Sequence, residues 1–270
     1  APDLDETAAL GLLRHGELEL EGLLAEASNA TLRAMISHDG VTARCIYKPV
    51  RGERPLWDFP DGTLAGRELA AYLVSAAGGW GVVPPTVLRD GPLGLGMCQL
   101  WIDDAHLPDA EQVVGFVPAD AVPDGWLAVA DARDPEGDPY LLAHADDPRL
   151  STVAVFDMVV NNADRKGGHL LTSGAGRIYA VDHGVCFHTE DKLRTVLWGW
   201  ADRPLSGDAV ERLRRFSALF TGDDGLPATL SEHLARREIN AIAARVRRLI
   251  AEPRYRLPSH DWPALPWPPI

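Results

Sequence analysis

Basic charge is scarce in this chain: 26 Lys and Arg stand against 39 Asp and Glu, a net charge of −13. A nucleic-acid surface needs clustered cations to displace condensed counterions, so the balance speaks against one. It speaks equally against docking on anionic lipid. Cysteine is scarce too. Cys45, Cys98 and Cys186 are an odd three, far apart, each inside an apolar run where a thiol behaves as a small hydrophobe. They imply no disulfide framework, and a reducing compartment is expected. No apolar run reaches the roughly 18 residues that span a bilayer, and the acidic opening "APDLDE" does not read as a signal peptide. The expectation is a cytoplasmic protein without stable membrane insertion. There is no internal repeat.

What is present reads as globular. The 270 residues suffice for one large domain or two lobes with a sizeable core. After a short helix from Glu6 to Arg14, "LELEGLLAEASNATLRAMISHDGVTARCIYKPV" reads as three strands. Apolar residues alternate in "TLRAMI" and "ARCIYKPV", and "SHDG" turns between them. "TLAGRELAAYLVSAAGG" reads as a helix, with Thr63 as N-cap and the glycines as a stop. "VVPPTVLRDG" and "LGMCQLWID" resume strands.

From Ala105 to about Asp147 the many Asp, Pro and Gly suggest short helices and loops. "PRLSTVAVFDMVV" then reads as a buried helix, and "HLLTS" with "RIYAVDHGVCF" as a short hairpin. "DAVERLRRFSALF" and "SEHLARREINAIAARVRRLI" read as helices. In the latter Leu234, Ile239, Ile242, Val246 and Leu249 recur at helical spacing, and the arginines fall largely on other faces. The tail "LPSHDWPALPWPPI" is too Pro-rich for helix or central strand; Trp262 and Trp267 are expected to pack against the helices. The implied class is α+β and bilobal. Residues 1–102 form a strand-rich lobe with one embedded helix, residues 103–270 a mainly helical lobe, and a ligand is expected in the cleft between them.

Two polar knots interrupt the pattern. "VFDMVVNNADRKGGHLL" follows an apolar helix with two amides, an acid, two bases, two glycines and a histidine. "AVDHGVCF" places Asp182 at the end of a strand. Asp164 and His169 lie five apart on a glycine-containing loop, with Asp182 thirteen residues later. One carboxylate can orient or deprotonate a hydroxyl while the other two groups hold Mg²⁺ against phosphate oxygens. Asp157, inside the apolar helix, is expected to tether this loop. The spacing of His183, Cys186 and His188 matches no structural zinc pattern.

"N-A-D-R-K-G-G-H" followed by "V-D-H-G" resembles the catalytic loop and metal motif of the protein-kinase-like superfamily. The resemblance is to its phosphatidylinositol 3- and 4-kinase-related bacterial branch, and also to type II phosphatidylinositol 4-kinases and HipA-like kinases. It implies a bilobal kinase-like fold with Asp164 as the catalytic aspartate that orients or deprotonates the acceptor hydroxyl, and Asp182 and His169 as metal ligands. His169 stands where the family has Asn, and imidazole favours softer cations than a carboxamide, so Mn²⁺ is expected to compete with Mg²⁺.

Arg165 is expected to steady the loop or the transferring phosphate, and Asn162 to brace the loop. The N-terminal half supplies the other parts in kinase order. Lys48 would neutralise ATP phosphates, and Glu68 on the next helix would hold Lys48. Ser28, Asn29 and Thr31 stand in the phosphate-covering turn in place of glycines. "MCQLWID" offers a hinge, with Gln99, Leu100, Trp101 and Ile102 against adenine.

Singly, each of these residues has an ordinary structural explanation; their order favours the kinase reading. The implied activity is transfer of phosphate from ATP to a hydroxyl on a protein, small molecule or lipid. Near Asp182 only Lys192 and Arg194 could receive an inositol phosphate, and no A-P-E segment follows. Transfer of AMP on the same fold, with Arg33 catching a reversed triphosphate, and a nucleotide-binding scaffold without turnover are the alternatives.

Overall fold

Alternating strands dictate the first half of the computed structural model, which describes residues 4–24, 30–103, 111–221 and 225–270. Helix α1 (Glu6–His15) is capped by Asp5, whose carboxylate accepts from the Ala8 N–H at 2.8 Å. Strands β1 (Glu17–Leu23), β2 (Leu32–His38) and β3 (Val41–Pro49) follow as an antiparallel meander. The two-residue turn between β2 and β3 needs left-handed backbone, which Asp39 (φ 48°) and Gly40 (φ 79°) supply.

Helix α2 (Leu64–Ala77) starts at Thr63, whose hydroxyl accepts from the Gly66 N–H at 2.9 Å. Strands β4 (Thr86–Gly91) and β5 (Gly94–Leu100) complete a five-stranded sheet ordered β1-β2-β3-β5-β4. Lys48 thereby sits beside Met97, between central strands. Leu12 and Leu13 of α1 cover one sheet face, packed with Ile36, Cys45, Val87 and Cys98.

The stretch after the sheet departs from expectation. Residues 104–110 lie outside the described residues. Beyond them come three antiparallel strands in place of short helices: β6 (Val114–Pro118), β7 (Trp126–Arg133) and β8 (Pro139–Ala145), ordered β6-β8-β7. The Pro, Asp and Gly that suggested loops are concentrated in the turns, where Gly125 and Gly137 take positive φ. Strand β7 buries no residue fully, so its apolar alternation is weak.

Helix α3 (Pro148–Val160) is capped by Asp147, and nine of its residues are buried, as its apolar run implies. Asn161 ends it in a left-handed conformation, φ 55°. The hairpin β9 (Leu170–Thr172) and β10 (Ile178–Ala180) follows, then helices α4 (Gly207–Ala218), α5 (Leu226–Leu230) and α6 (Arg236–Ala251).

Helix α6 begins later than its pattern suggests. Glu238 reaches back to accept from the Ala235 N–H at 2.9 Å, and Leu234 is buried in the preceding turn. Arg245 also departs from the solvated-arginine expectation. It is buried and donates to the carbonyls of Val159 and His188, both at 3.0 Å.

Val153 and Phe156 of α3, Phe216 of α4 and Ile242 of α6 share one large core with Ala70 and Val74 of α2. The tail runs back across this region, where the Pro269 carbonyl accepts from the Gly167 N–H at 2.8 Å. Trp262 lies against Lys192, whose Nζ is 4.3 Å from the indole centroid. Trp267, expected to pack, is instead 86% exposed. Among the described residues no helix is long and apolar enough to cross a membrane.

Candidate active site

The polar knot after α3 is organised by one buried acid. Asp157 accepts from Arg165 Nε at 2.9 Å and from its NH2 at 3.0 Å, and from the Asn162 side-chain amide at 3.1 Å. A lone carboxylate at this depth would be costly to ionise; a fork-shaped guanidinium and an amide satisfy it. Arg165 also donates to the Val181 carbonyl at 2.7 Å and bonds His183 Nε2 at 2.8 Å. Helix α3, the 161–166 loop and the chain around Asp182 are thus tied at one point. Asn162 Oδ1 accepts from the Asp164 N–H at 2.9 Å, a bond within the loop.

Arg165 is wholly buried. Of its two expected roles, steadying the loop fits this position; reaching a transferring phosphate does not.

Across the cleft, Lys48 Nζ donates to Glu68 Oε1 at 2.7 Å and to Asp182 Oδ1 at 3.0 Å. Burial opposes the Lys48 charge, but Asp182 and Glu68 outweigh it and hold its pKa above the usual lysine value. The Lys48 ammonium conversely holds the Asp182 carboxyl well below its ordinary range. Burial raises Glu68, against the pull of Lys48. The other Glu68 oxygen accepts from the His183 N–H at 2.9 Å, so one carboxylate fixes both Lys48 and the segment carrying Asp182. Asp182 itself has φ 60°, a left-handed conformation uncommon outside glycine.

These groups meet in a cavity of about 450 Å³ lined by Lys48, Glu68, Asp164, Lys166, His169 and Asp182. Thr31 lines it as well; Ser28 and Asn29 lie outside the described residues. Burial raises the Asp164 pKa, while Lys166 at 3.5 Å and Arg194 at 3.9 Å restrain the rise. The sequence singles out neither as a partner of Asp164. Proximity in the chain could have pointed to Lys166. Arg194 is thirty residues on, and is brought in by paired backbone bonds with Arg165 and Asn162, each 2.9 Å.

The hinge segment lies apart from this cavity. Gln99 is buried and donates to Thr86 Oγ1 at 2.9 Å. The N–H groups of Leu100 and Trp101 bond the carbonyls of Pro85 and Arg44, both at 3.0 Å, and Ile102 follows them.

A divalent cation fits the donor set. His169 Nε2 and Asp182 Oδ2 are 3.4 Å apart, a spacing that neighbouring ligands of one cation can have. Burial depresses the His169 pKa to about 4, so at neutral pH the imidazole is uncharged and can ligate. Among the described residues no group of three or more His, Cys, Asp or Glu could hold a metal. The remaining positions would fall to phosphate oxygens and water.

No family model matches the chain. Protein Rv2133c of Mycobacterium tuberculosis is 46% identical over 264 residues, which covers 95% of this chain and 94% of that protein. The chain belongs to the Rv2133c family. For the fold of this Rv2133c relative, the solved structures are informative. The golgi casein kinase superposes with a TM-score of 0.55 and 14% identity, over 93% of this chain and 74% of that one. At that identity the likeness shows the fold alone: an α+β arrangement of sheet and helical regions resembling kinase-like folds. A Helicobacter pylori proinflammatory kinase, CtkA, aligns more loosely, with a TM-score of 0.42 and 10% identity over 90% of this chain and 94% of that one. The likeness holds at the level of kinase-like folds, and the phosphatidylinositol kinase branch is not singled out.

Proposed function

We propose that this protein is a cytoplasmic ATP-dependent phosphotransferase. One observation carries the reading: Lys48 bridges Glu68 at 2.7 Å and Asp182 at 3.0 Å in a cavity that Asp164 also faces. Residues 1–102 would hold the nucleotide and residues 103–270 the catalytic groups. Lys48 neutralises phosphate charge, and Glu68 keeps it in place. The adenine would reach past the cavity to the chain around Ile102, at the end of a segment whose Leu100 and Trp101 N–H groups are already bonded. Asp164 orients the acceptor hydroxyl. As its oxygen bonds the γ-phosphorus, the bond to the departing ADP oxygen breaks and the hydroxyl proton passes to Asp164. Asn162 and Arg165 hold the loop that carries it. Asp182 and His169 would hold Mg²⁺ or Mn²⁺, which would supply charge neutralisation on the phosphates.

The acceptor is a hydroxyl on a protein, a small molecule or a lipid head group. Nucleotidyl transfer is the alternative on the same site; Arg33, the residue that would catch a reversed triphosphate, pairs with Glu21 at 2.7 Å. Incubation with labelled ATP, Mn²⁺ and a panel of acceptors tests the reading by mass spectrometry. Phosphoryl gain with ADP release is expected; AMP gain, or binding without turnover on every acceptor, would overturn it.

Two predictions follow from the cavity itself. Lys48→Met should weaken ATP binding by roughly tenfold or more, because a charged hydrogen bond to phosphate is lost. It should also lower thermal stability modestly, since the buried Glu68 loses its cation. Normal ATP affinity in a folded variant would make Lys48 a bystander. Glu68→Gln should act in the same direction and more mildly.

The second concerns the cation. ATP affinity by calorimetry should require a divalent ion, with Mn²⁺ at least as effective as Mg²⁺, and His169→Asn should shift the preference toward Mg²⁺. Equal affinity in chelator would remove Asp182 and His169 as ligands.

A further inference from the structure

Helix α2 carries Glu68, and its neighbour Arg67 is buried and held at several points. Arg67 is 1% exposed. Its NH1 donates to the Cys186 carbonyl at 2.9 Å, and its NH2 to the Asp61 carbonyl at 2.9 Å and to Glu238 Oε1 at 2.7 Å. The guanidinium also lies over the Phe59 ring, 4.9 Å from its centroid. Glu238 sits in the first turn of α6 and accepts there from the Ala235 N–H. A fully buried pair therefore runs from α2 to the helical region, next to the residue that holds Lys48.

Neighbouring contacts point the same way. Asp58 pairs with Lys192 at 3.1 Å, and Asp61 pairs with Arg237. Gly62, at φ +65°, comes so close to the His233 carbonyl that a Cβ would meet it at 2.9 Å. The apolar residues Ala70, Ala71 and Val74 belong to the core of α3, α4 and α6, although α2 also touches β4 and β5. The start of α2 is thus tied to the helical region, and also to Glu53 beyond β3, which accepts from the Leu64 N–H at 2.9 Å and the Ala65 N–H at 2.8 Å; Lys48 is carried by the sheet.

We propose that Arg67 is a positioning residue. Its pair with Glu238 pins the first turns of α2, so that Glu68 meets both Lys48 and the His183 N–H without an activating partner or modification. Arg67 touches neither the cavity's reactive groups nor any substrate, and acts only through Glu68. The inference rests on the phosphotransferase reading for its consequence in catalysis, but not for its geometry.

The chain has three lysines, Lys48, Lys166 and Lys192, which makes a clean readout. Arg67→Met, Arg67→Lys and the core control Leu213→Ala are treated with acetic anhydride at one fixed pH, and acetylation of Lys48 relative to Lys166 is followed by mass spectrometry. In the wild-type protein Lys48 should react slowly because two carboxylates share it. Arg67→Met should react several-fold faster at Lys48, and Arg67→Lys should fall between. Leu213→Ala, destabilised through the core, should keep the wild-type ratio.

ATP affinity measured on the same proteins should fall by roughly tenfold in Arg67→Met, as when a charged hydrogen bond is misplaced. An unchanged Lys48 ratio in folded Arg67→Met, or an equal change in Leu213→Ala, overturns the positioning role whatever ATP does. Should the wild type bind no ATP while Arg67→Met still frees Lys48, the pin stands and the phosphotransferase reading falls.

Discussion

Asp164→Asn should abolish phosphoryl transfer, by roughly two to four orders of magnitude, while leaving ATP affinity nearly unchanged. Asp182→Asn should damage both. The division follows from what each carboxylate touches. Asp164 shares the cavity with Lys48 but pairs with Lys166 and Arg194, on the side where an acceptor would enter. Its removal takes away orientation and proton acceptance and leaves the nucleotide side intact. Asp182 is hydrogen-bonded to Lys48 and is 3.4 Å from His169, so its charge would place both the lysine and a His169-bound cation against a triphosphate. Asparagine keeps the shape and loses that charge. Calorimetric ATP affinity and single-turnover rates, measured side by side, separate the two. If Asp164→Asn loses affinity as badly as Asp182→Asn, or turns over normally, the 161–169 segment is not the catalytic loop.

Asp157→Ala should produce the largest loss of stability, about 3–5 kcal/mol, the usual result of breaking a buried ion pair from one side. Arg165 is 0% exposed, and the mutation leaves its buried guanidinium without a countercharge, with the Val181 and His169 carbonyls and His183 Nε2 as its remaining partners. Asn162 loses a partner as well. The double variant Asp157→Leu/Arg165→Met should recover much of the stability, because apolar groups of similar volume need no partner. It should not recover turnover, since the tie between α3 and Asp164 is gone. Denaturant melts and turnover rates on the three proteins check this. A loss under about 1 kcal/mol for Asp157→Ala would mean that the carbonyls and His183 satisfy Arg165 without the carboxylate.

The regular elements flanking the site were legible because burial of one face leaves a period in the chain. The "SHDG" turn, the Thr63 cap and the α3 run each appear where the pattern puts them. Strands β6 to β8 were hidden because they are only partly covered, so their alternation is faint and the turn residues between them dominate composition. The late start of α6 was hidden for a related reason. Leu234 is buried by the turn before the helix, so it continues the apolar spacing without being helical.

For the site, the resemblance to kinase-like motifs together with the order of the parts nominated Lys48, Glu68, Asp164, His169 and Asp182, because that chemistry needs few residue types on short loops beside regular elements. Tertiary structure decided which of them meet. Lys48 and Asp182 are 134 residues apart and touch at 3.0 Å; Arg67 and Glu238 are 171 apart and touch at 2.7 Å. Local pattern records the face a residue turns to the core. It carries no record of which distant charge waits there, because that depends on how whole elements pack. So the local pattern leaves open whether Arg165 reaches a phosphate or steadies the loop and does not mark Arg67 at all; their burial against Asp157 and Glu238 is set by the fold.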